Sequence, residues 1–289
     1  MQGLRTYVIN LDGSIERFAA ISQRLQEFGV EFERVPAVDG RQLDLTKIAE
    51  YDSSRAVRYM GRGLVGGEIG CYWSHLAVAS RFLESDARYA LVLEDDAFPL
   101  CNPIELLIKA LPDLENFDPD WLLINIGNNK IKITTPISTY KAGSHTCKLV
   151  SAHYFPLTTS AIVWSRKGAK KFVENHSLIF APVDNFLRYW LTREGHGYSF
   201  WPSPVITTDS NSLILTSKGN HRKNNERRWY YGFSKQKRLL EDKIIATFRK
   251  LLLRAKLAKH PRSCRGDTAS AGKKLEHNLL AVARKGGED

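Results

Sequence analysis

Cysteine is scarce in this chain of 289 residues: Cys71, Cys101, Cys147 and Cys264 lie far apart, with no Cys-x-x-Cys pair. That spacing argues against a disulfide framework or a zinc-thiolate site and fits a reducing cytoplasm. Long apolar runs are also missing, since no window approaches the ~20 uninterrupted apolar residues that a membrane-spanning helix needs. The opening Met-Gln-Gly-Leu-Arg-Thr runs straight into Tyr7-Val8-Ile9-Asn10-Leu11, without the apolar segment and small-residue cleavage site of a secretion signal. No internal repeat is present. With 43% hydrophobic and 25% charged residues, the composition excludes disordered and fibrous classes. A body of this length buries roughly 70–75% of its unfolded surface.

Most of the chain also lacks net charge, although the total is +11. Residues 218–265 hold 16 Lys+Arg against 3 Asp+Glu, residues 266–289 hold 4 of each, and residues 1–217 hold 22 against 24. The basicity therefore belongs to one segment. Residues 1–217 read as the catalytic domain, 218–260 as a basic amphipathic helical extension, and 261–289 as a polar, flexible tail.

The first two-thirds alternates strand-like and helix-like patterns. Residues 6–11 are a short apolar, β-branched run, after which Ser14 caps a helical pattern (Ile15, Phe18, Ile21, Leu25, Phe28) stopped by Gly29. Residues 32–37 read as a strand before the Asp39-Gly40 turn, and residues 41–65 as a polar, mobile loop. A long helix follows over 68–83, a buried strand over 89–93, a helix over 103–111 and a strand over 121–126. Later runs at 149–154, 160–164 and 198–201 read as shorter, partly antiparallel strands around helices at 166–174 and 183–194. This order predicts an α/β fold with a mostly parallel sheet flanked by helices, in which ligands bind at the carboxyl ends of strands.

Glu94-Asp95-Asp96 directly follows an apolar strand. Three acids so placed repel one another unless a cation shares the site. Carboxylates are hard oxygen ligands suited to Mn²⁺ or Mg²⁺, which can bridge to a diphosphate. The alternative is a solvated acidic loop. Asp184, after Pro182 at the start of a helical pattern, is a candidate base or else a helix cap; Glu68 is a second candidate base. His75, one residue before Leu76 in a helical apolar pattern, has a plain reading as a hydrogen-bonded packing residue. Asn10, Arg17 and Asp39 have plain readings as a strand-end turn, a solvated helix charge and an Asp-Gly turn.

Seven short motifs together resemble glycosyltransferase family 25, the lipopolysaccharide and lipooligosaccharide galactosyltransferases. In order they are Tyr7-Val8-Ile9-Asn10-Leu11-Asp12 with Ser14 and Arg17; Val38-Asp39-Gly40; Gly67-Glu68-Ile69-Gly70-Cys71-Tyr72-Trp73-Ser74-His75; Leu91-Val92-Leu93-Glu94-Asp95-Asp96-Ala97; Ser165-Arg166-Lys167-Gly168-Ala169; Pro182-Val183-Asp184-Asn185-Phe186-Leu187; and Ser210-Asn211-Ser212-Leu213-Ile214. Gly13 and Trp73 depart from that pattern, which often has Arg and Leu there. The resemblance implies a GT-A-like fold, an inverting hexosyltransferase using a nucleotide-sugar donor such as UDP-galactose, and a divalent metal. It places Asn10, Leu11, Arg17, Asp39, Ser74, His75, Glu94 and Asp95 at the donor. Asp96 and Glu94 are the expected metal ligands, and Asp184 or Glu68 the catalytic base.

From 224 to 259 the pattern is helical and basic, with Lys and Arg from Lys235 onward interleaved with apolar residues and preceded by Trp229, Tyr230, Tyr231 and Phe233. This describes a helix lying on an anionic membrane surface. The alternative is a helix packing its apolar face on the body. A nucleic-acid partner is not expected, because no recognised motif accompanies the patch. The expectation is a peripheral enzyme on the cytoplasmic face that extends a lipid-linked surface glycan. The competing reading is a non-catalytic protein whose basic segment holds anionic lipid or nucleic acid.

Overall fold

The computed structural model describes residues 3–128, 130–175, 178–208 and 231–259. The motif at 210–214, the start of the basic helix at 224–230 and the tail at 261–289 lie outside the described residues. The elements in chain order are β1 (Leu4–Asn10), α1 (Ile15–Glu27), β2 (Glu33–Pro36), α2 (Ser53–Met60), α3 (Gly66–Glu84), β3 (Tyr89–Glu94), β4 (Ala97–Pro99), α4 (Pro103–Phe117), β5 (Leu123–Asn125), β6 (Lys132–Ala142), β7 (His145–Tyr154), β8 (Ala161–Ser165), α5 (Arg166–Glu174), α6 (Val183–Glu194), β9 (Gly197–Trp201), β10 (Val205–Thr207) and α7 (Tyr231–Lys259).

Eight strands form one sheet in the order β2-β1-β3-β8-β5-β9-β7-β6. The pairs β1·β2, β1·β3 and β5·β9 are parallel. Strand β8 enters antiparallel between β3 and β5, and the β6·β7 hairpin completes the far edge. Side chains alternate across the sheet with the period-2 pleat. In β3, Leu91 and Leu93 pack on the α1/α4 side with Ile21, Leu25, Leu106 and Leu111. Ala90 and Val92 face Ile69, Tyr72, Phe82 and Trp164 on the other side. The predicted α/β layering is what folds.

The structure departs from the sequence reading at places with identifiable reasons. Residues 41–65 contain helix α2, whose N-cap Asp52 accepts a hydrogen bond from the Arg55 amide at 2.8 Å and whose stop is Gly61 at φ +75°. Only Ala56 and Met60 of its eight residues are buried, so the apolar face is too narrow to read as a helix. The strand β6 went unread because Pro136 and several threonines interrupt it. It lies at the sheet edge, with its bulge between Pro136 and Ser138, where proline is tolerated. Helix α1 begins after Ser14 as expected, but that side chain makes no capping bond and Ile15 is exposed.

Helix α7 docks on the body with its polar and small face. Tyr231 is buried at Gly61, where a Cβ would come within 2.3 Å of its ring. The Arg238 guanidinium stacks 3.8 Å from the Tyr59 ring centre, and Asp242, almost fully buried, pairs with Arg193 at 2.7 Å. Ala246 is buried too. The alternative of a helix packing its apolar stripe on the body does not describe this arrangement, since Phe233, Leu240, Ile244, Phe248 and Leu251 stay exposed.

The same contact perturbs His153 of β7, which is buried and hydrogen-bonded to Thr135 at 2.9 Å. Burial, reinforced by the charges of Lys250, Arg249 and Arg254, pulls its pKa from 6.5 down to about 4. Unfolding therefore takes up a proton as pH falls from about 6.5 to 4, so stability is full above that window and lost through it, by about 3 kcal/mol. Urea unfolding across this range should show a shallower decline for His153→Gln than for the wild type; parallel curves would dismiss this histidine as the cause.

Candidate active site

Strands β1 and β3 run side by side in register, Ile9 opposite Glu94, so Asn10 and the acidic triplet emerge together at the carboxyl edge. The three acids do not share one environment. Glu94 Oε1 accepts a bond from the Thr159 hydroxyl at 2.6 Å and lies 3.0 Å from His75 Nε2. Burial alone would raise its pKa, but these bonds and the Arg17 charge outweigh that and hold it below the usual range. Asp95 accepts from Asn10 Nδ2 at 2.8 Å and pairs with Arg17 at 2.6 Å; burial still pushes its pKa up. Asp96 is 3.2 Å from the same guanidinium. Burial, then the Glu94 charge, raises it to about 7. Its Oδ1 is buried with no hydrogen-bond partner.

Two clefts meet at this triplet. The first is lined by Asn10, Leu11, Arg17, Asp39, Ser74, His75 and all three acids, so every residue expected at the donor borders one depression. The second is lined by Glu94 and Asp96 again, with Glu68, Cys71, Thr159 and Asp184. Asp184 is not the cap of α6, because Pro182 holds that position. It sits in the first turn, where Oδ1 accepts from the Asn185 amide at 2.7 Å and its side chain at 2.9 Å.

Several residues have duties that the sequence did not show. Both oxygens of Glu68 receive Arg62, at 2.7 and 2.8 Å, and one also accepts the Val65 amide at 3.1 Å. The pair is almost wholly buried. This geometry gives Glu68, a candidate base, a structural role: it closes the start of α3 as the third-residue partner in a helix cap. Ser74 donates to the Gly70 carbonyl at 2.7 Å and accepts from the Val38 amide at 2.8 Å. Its only proton is thus committed to the preceding turn of α3, while its oxygen holds the 38–40 turn against that helix. That turn meets the helix so closely that a Cβ on Gly40 would lie 1.9 Å from the Gly66 oxygen. Asp39 is gripped by Arg41, which draws its pKa down to about 2. His75, 1% exposed, holds Glu94 rather than facing open solvent.

Thr159 and Arg62 were invisible as site residues, because each lies in a stretch with no motif and gains its role only through a long-range contact. The Ser165-Arg166-Lys167-Gly168-Ala169 motif turns out architectural: Ser165 caps α5 and a Cβ on Gly168 would meet the Leu122 oxygen at 2.0 Å.

Two donor sets could take a cation. Cys71, His75 and Glu94 bring one ligand atom each within 4.8 Å of one another. Burial and the nearby carboxylates hold the Cys71 thiol well above its usual pKa, which disfavours the thiolate such a set requires. Asp96, with its unpartnered buried oxygen, and Glu94 form the hard-oxygen alternative that fits Mn²⁺ or Mg²⁺.

Residues 4–187 match the sequence profile of glycosyltransferase family 25 (LPS biosynthesis protein). The procollagen galactosyltransferase 2 of Mus musculus is 30% identical over 186 residues, covering 63% of this chain and 29% of that protein. A glycosyltransferase 25 family member of Aedes aegypti is 31% identical over 186 residues, 63% of this chain and 30% of its own. The chain thus spans under a third of the length of the curated relatives it matches. Among solved structures, a glycosyltransferase involved in glycosylation of the major capsid of PBCV-1 aligns with a TM-score of 0.40 and 11% identity, over 73% of this chain and 94% of that one. With 184 of the 289 residues inside the profile match, the chain belongs to glycosyltransferase family 25.

Proposed function

We propose that this protein is an inverting galactosyltransferase that moves galactose from UDP-galactose to a lipooligosaccharide or related surface glycan. The observation that carries the reading is the meeting of two clefts at Glu94 and Asp96. One side has the cationic and amide groups a nucleoside diphosphate requires, and the other has a carboxylate for a hydroxyl. Galactose as the sugar rests on the galactosyltransferase activity of the relatives. The glycan acceptor rests on the family's description.

Asp96 and Glu94 would hold Mn²⁺ or Mg²⁺, which when bound neutralises negative charge on the departing diphosphate. Arg17, already between Asp95 and Asp96, is the protein's own cation at that position and contacts the diphosphate. Asn10 and Leu11 end β1 against the nucleotide, and Asp39 borders the same cleft. The acceptor hydroxyl oxygen attacks the anomeric carbon from the second cleft, the bond from that carbon to the diphosphate breaks with inversion, and Asp184 takes the hydroxyl proton. His75 and Thr159 hold Glu94 in place throughout. The basic helix α7 sets the enzyme on the cytoplasmic face of an anionic membrane, where a lipid-linked acceptor is presented; no nucleic acid takes part.

Release of UDP from a panel of nucleotide sugars, with and without MnCl₂, tests the reading. UDP-galactose with Mn²⁺ should give the fastest turnover. Asp184→Asn should lower kcat by about 10²-fold or more while the donor KM stays within about twofold. Absence of metal-stimulated release from every common donor would reject the proposal, and near-normal turnover of the variant would remove Asp184 as the base.

A further inference from the structure

The docking of α7 turns an apolar stripe outward. Phe233, Leu240, Ile244, Phe248 and Leu251 follow one another at intervals of 7, 4, 4 and 3 residues, a spacing that keeps them on one side of a helix. They are exposed by 79, 60, 59, 61 and 59% respectively. These apolar side chains share a stripe on an element whose opposite side is already committed to the body through Tyr231, Asp242 and Ala246. Isolated exposed leucines need no explanation, but a contiguous stripe of this kind marks a contact surface.

Its surroundings say which kind. Lys237, Lys243 and Arg254 are exposed on the same helix, and Lys250 is half-buried. Against them the helix carries only Glu241 and Asp242 as acids, and Asp242 is neutralised by Arg193. A stripe of Phe, Leu and Ile interrupted once by Lys237 and flanked on one side by Lys243, Lys250 and Arg254 suits a surface that is apolar beneath and anionic above. No helix among the described residues is long and apolar enough to cross a membrane, so the geometry is that of a helix lying in the interface plane. We infer that Phe233, Leu240, Ile244, Phe248 and Leu251 insert below the headgroups of an anionic bilayer, with Lys237, Lys243, Lys250 and Arg254 at the phosphate level. This deepens the membrane part of the function proposed above and rests on it. It differs from simple electrostatic attachment in requiring the stripe.

Flotation of the full chain with vesicles separates the two. Binding should be strong to 70:30 phosphatidylcholine:phosphatidylglycerol and at least tenfold weaker to pure phosphatidylcholine. Ile244→Asp/Phe248→Asp should weaken binding to the mixed vesicles at least tenfold, and the milder Leu240→Ser/Leu251→Ser several-fold, with melting temperature and UDP release unchanged. Lys243→Glu/Arg254→Glu should lose binding chiefly at low salt. No binding by the wild type would overturn both this inference and the membrane proposal. Equal binding by wild type and stripe variants, with loss only in the charge variant, would overturn the inference alone. So would a stripe substitution that converts a dimer to a monomer in sedimentation without changing vesicle binding, since the stripe would then serve a second copy.

Discussion

Asp96→Asn is expected to cut transfer by at least about 10³-fold while the protein melts no lower than the wild type. The substitution preserves shape and removes a charge. It would deprive the proposed cation site of the carboxylate whose Oδ1 is buried without a partner, at the point where both clefts meet. Stability should move the other way. Burial and the Glu94 charge lift the Asp96 pKa from 3.8 to about 7, so the fold favours the protonated acid and carries a penalty once it ionises. In the unfolded chain the group ionises near its ordinary value, so the penalty grows from about pH 4 to about pH 7 and then levels off. Asn carries none of it. Thermal melts at pH 5 and pH 8 should therefore show a larger advantage of Asp96→Asn at pH 8. Transfer within tenfold of the wild type would remove Asp96 as a ligand. A melting temperature well below it would mean that the ion pair with Arg17 outweighs the cost of burial.

How much of this was legible in the sequence depends on how local each signal is. The apolar run ending in Glu94-Asp95-Asp96 was legible as a strand with acids at its carboxyl end, because the switch from apolar to acidic residues is local in the sequence. The helices at Arg166–Glu174 and Val183–Glu194 fall where periodicity put them. By contrast, the differing states of the three acids were not readable, since His75, Thr159, and Asn10 with Arg17 reach them from three separate parts of the chain. Helix α2 hid behind its polar composition, and β6 behind an edge proline. For α7 the pattern of apolar and basic residues was plain, but its orientation was not. That is set by contacts to residues far away in sequence, with Arg238 stacked on Tyr59 and Asp242 paired with Arg193.

Glu68→Gln is expected to destabilise the protein by about 3–5 kcal/mol, the usual cost of stripping one partner from a buried ion pair. At roughly 2–4 °C per kcal/mol for a domain of this size, the melting temperature should fall by about 10 °C. The reason lies with Arg62, whose side chain is 1% exposed and donates to both Glu68 oxygens. With a neutral amide opposite, the guanidinium keeps its charge and its burial but loses its compensation, and one of the amide's two ends can no longer accept. The start of α3 loosens as well, because the Val65 amide relies on the same carboxylate. From that helix project Cys71, Ser74 and His75, so activity should fall together with stability instead of separately from it. Replacing both partners, as in Arg62→Met/Glu68→Leu, should recover most of the lost stability, because an apolar pair leaves no buried charge unmatched. A Glu68→Gln protein that melts like the wild type yet loses about 10²-fold in kcat would reverse the assignment, making Glu68 the proton acceptor and Asp184 the bystander.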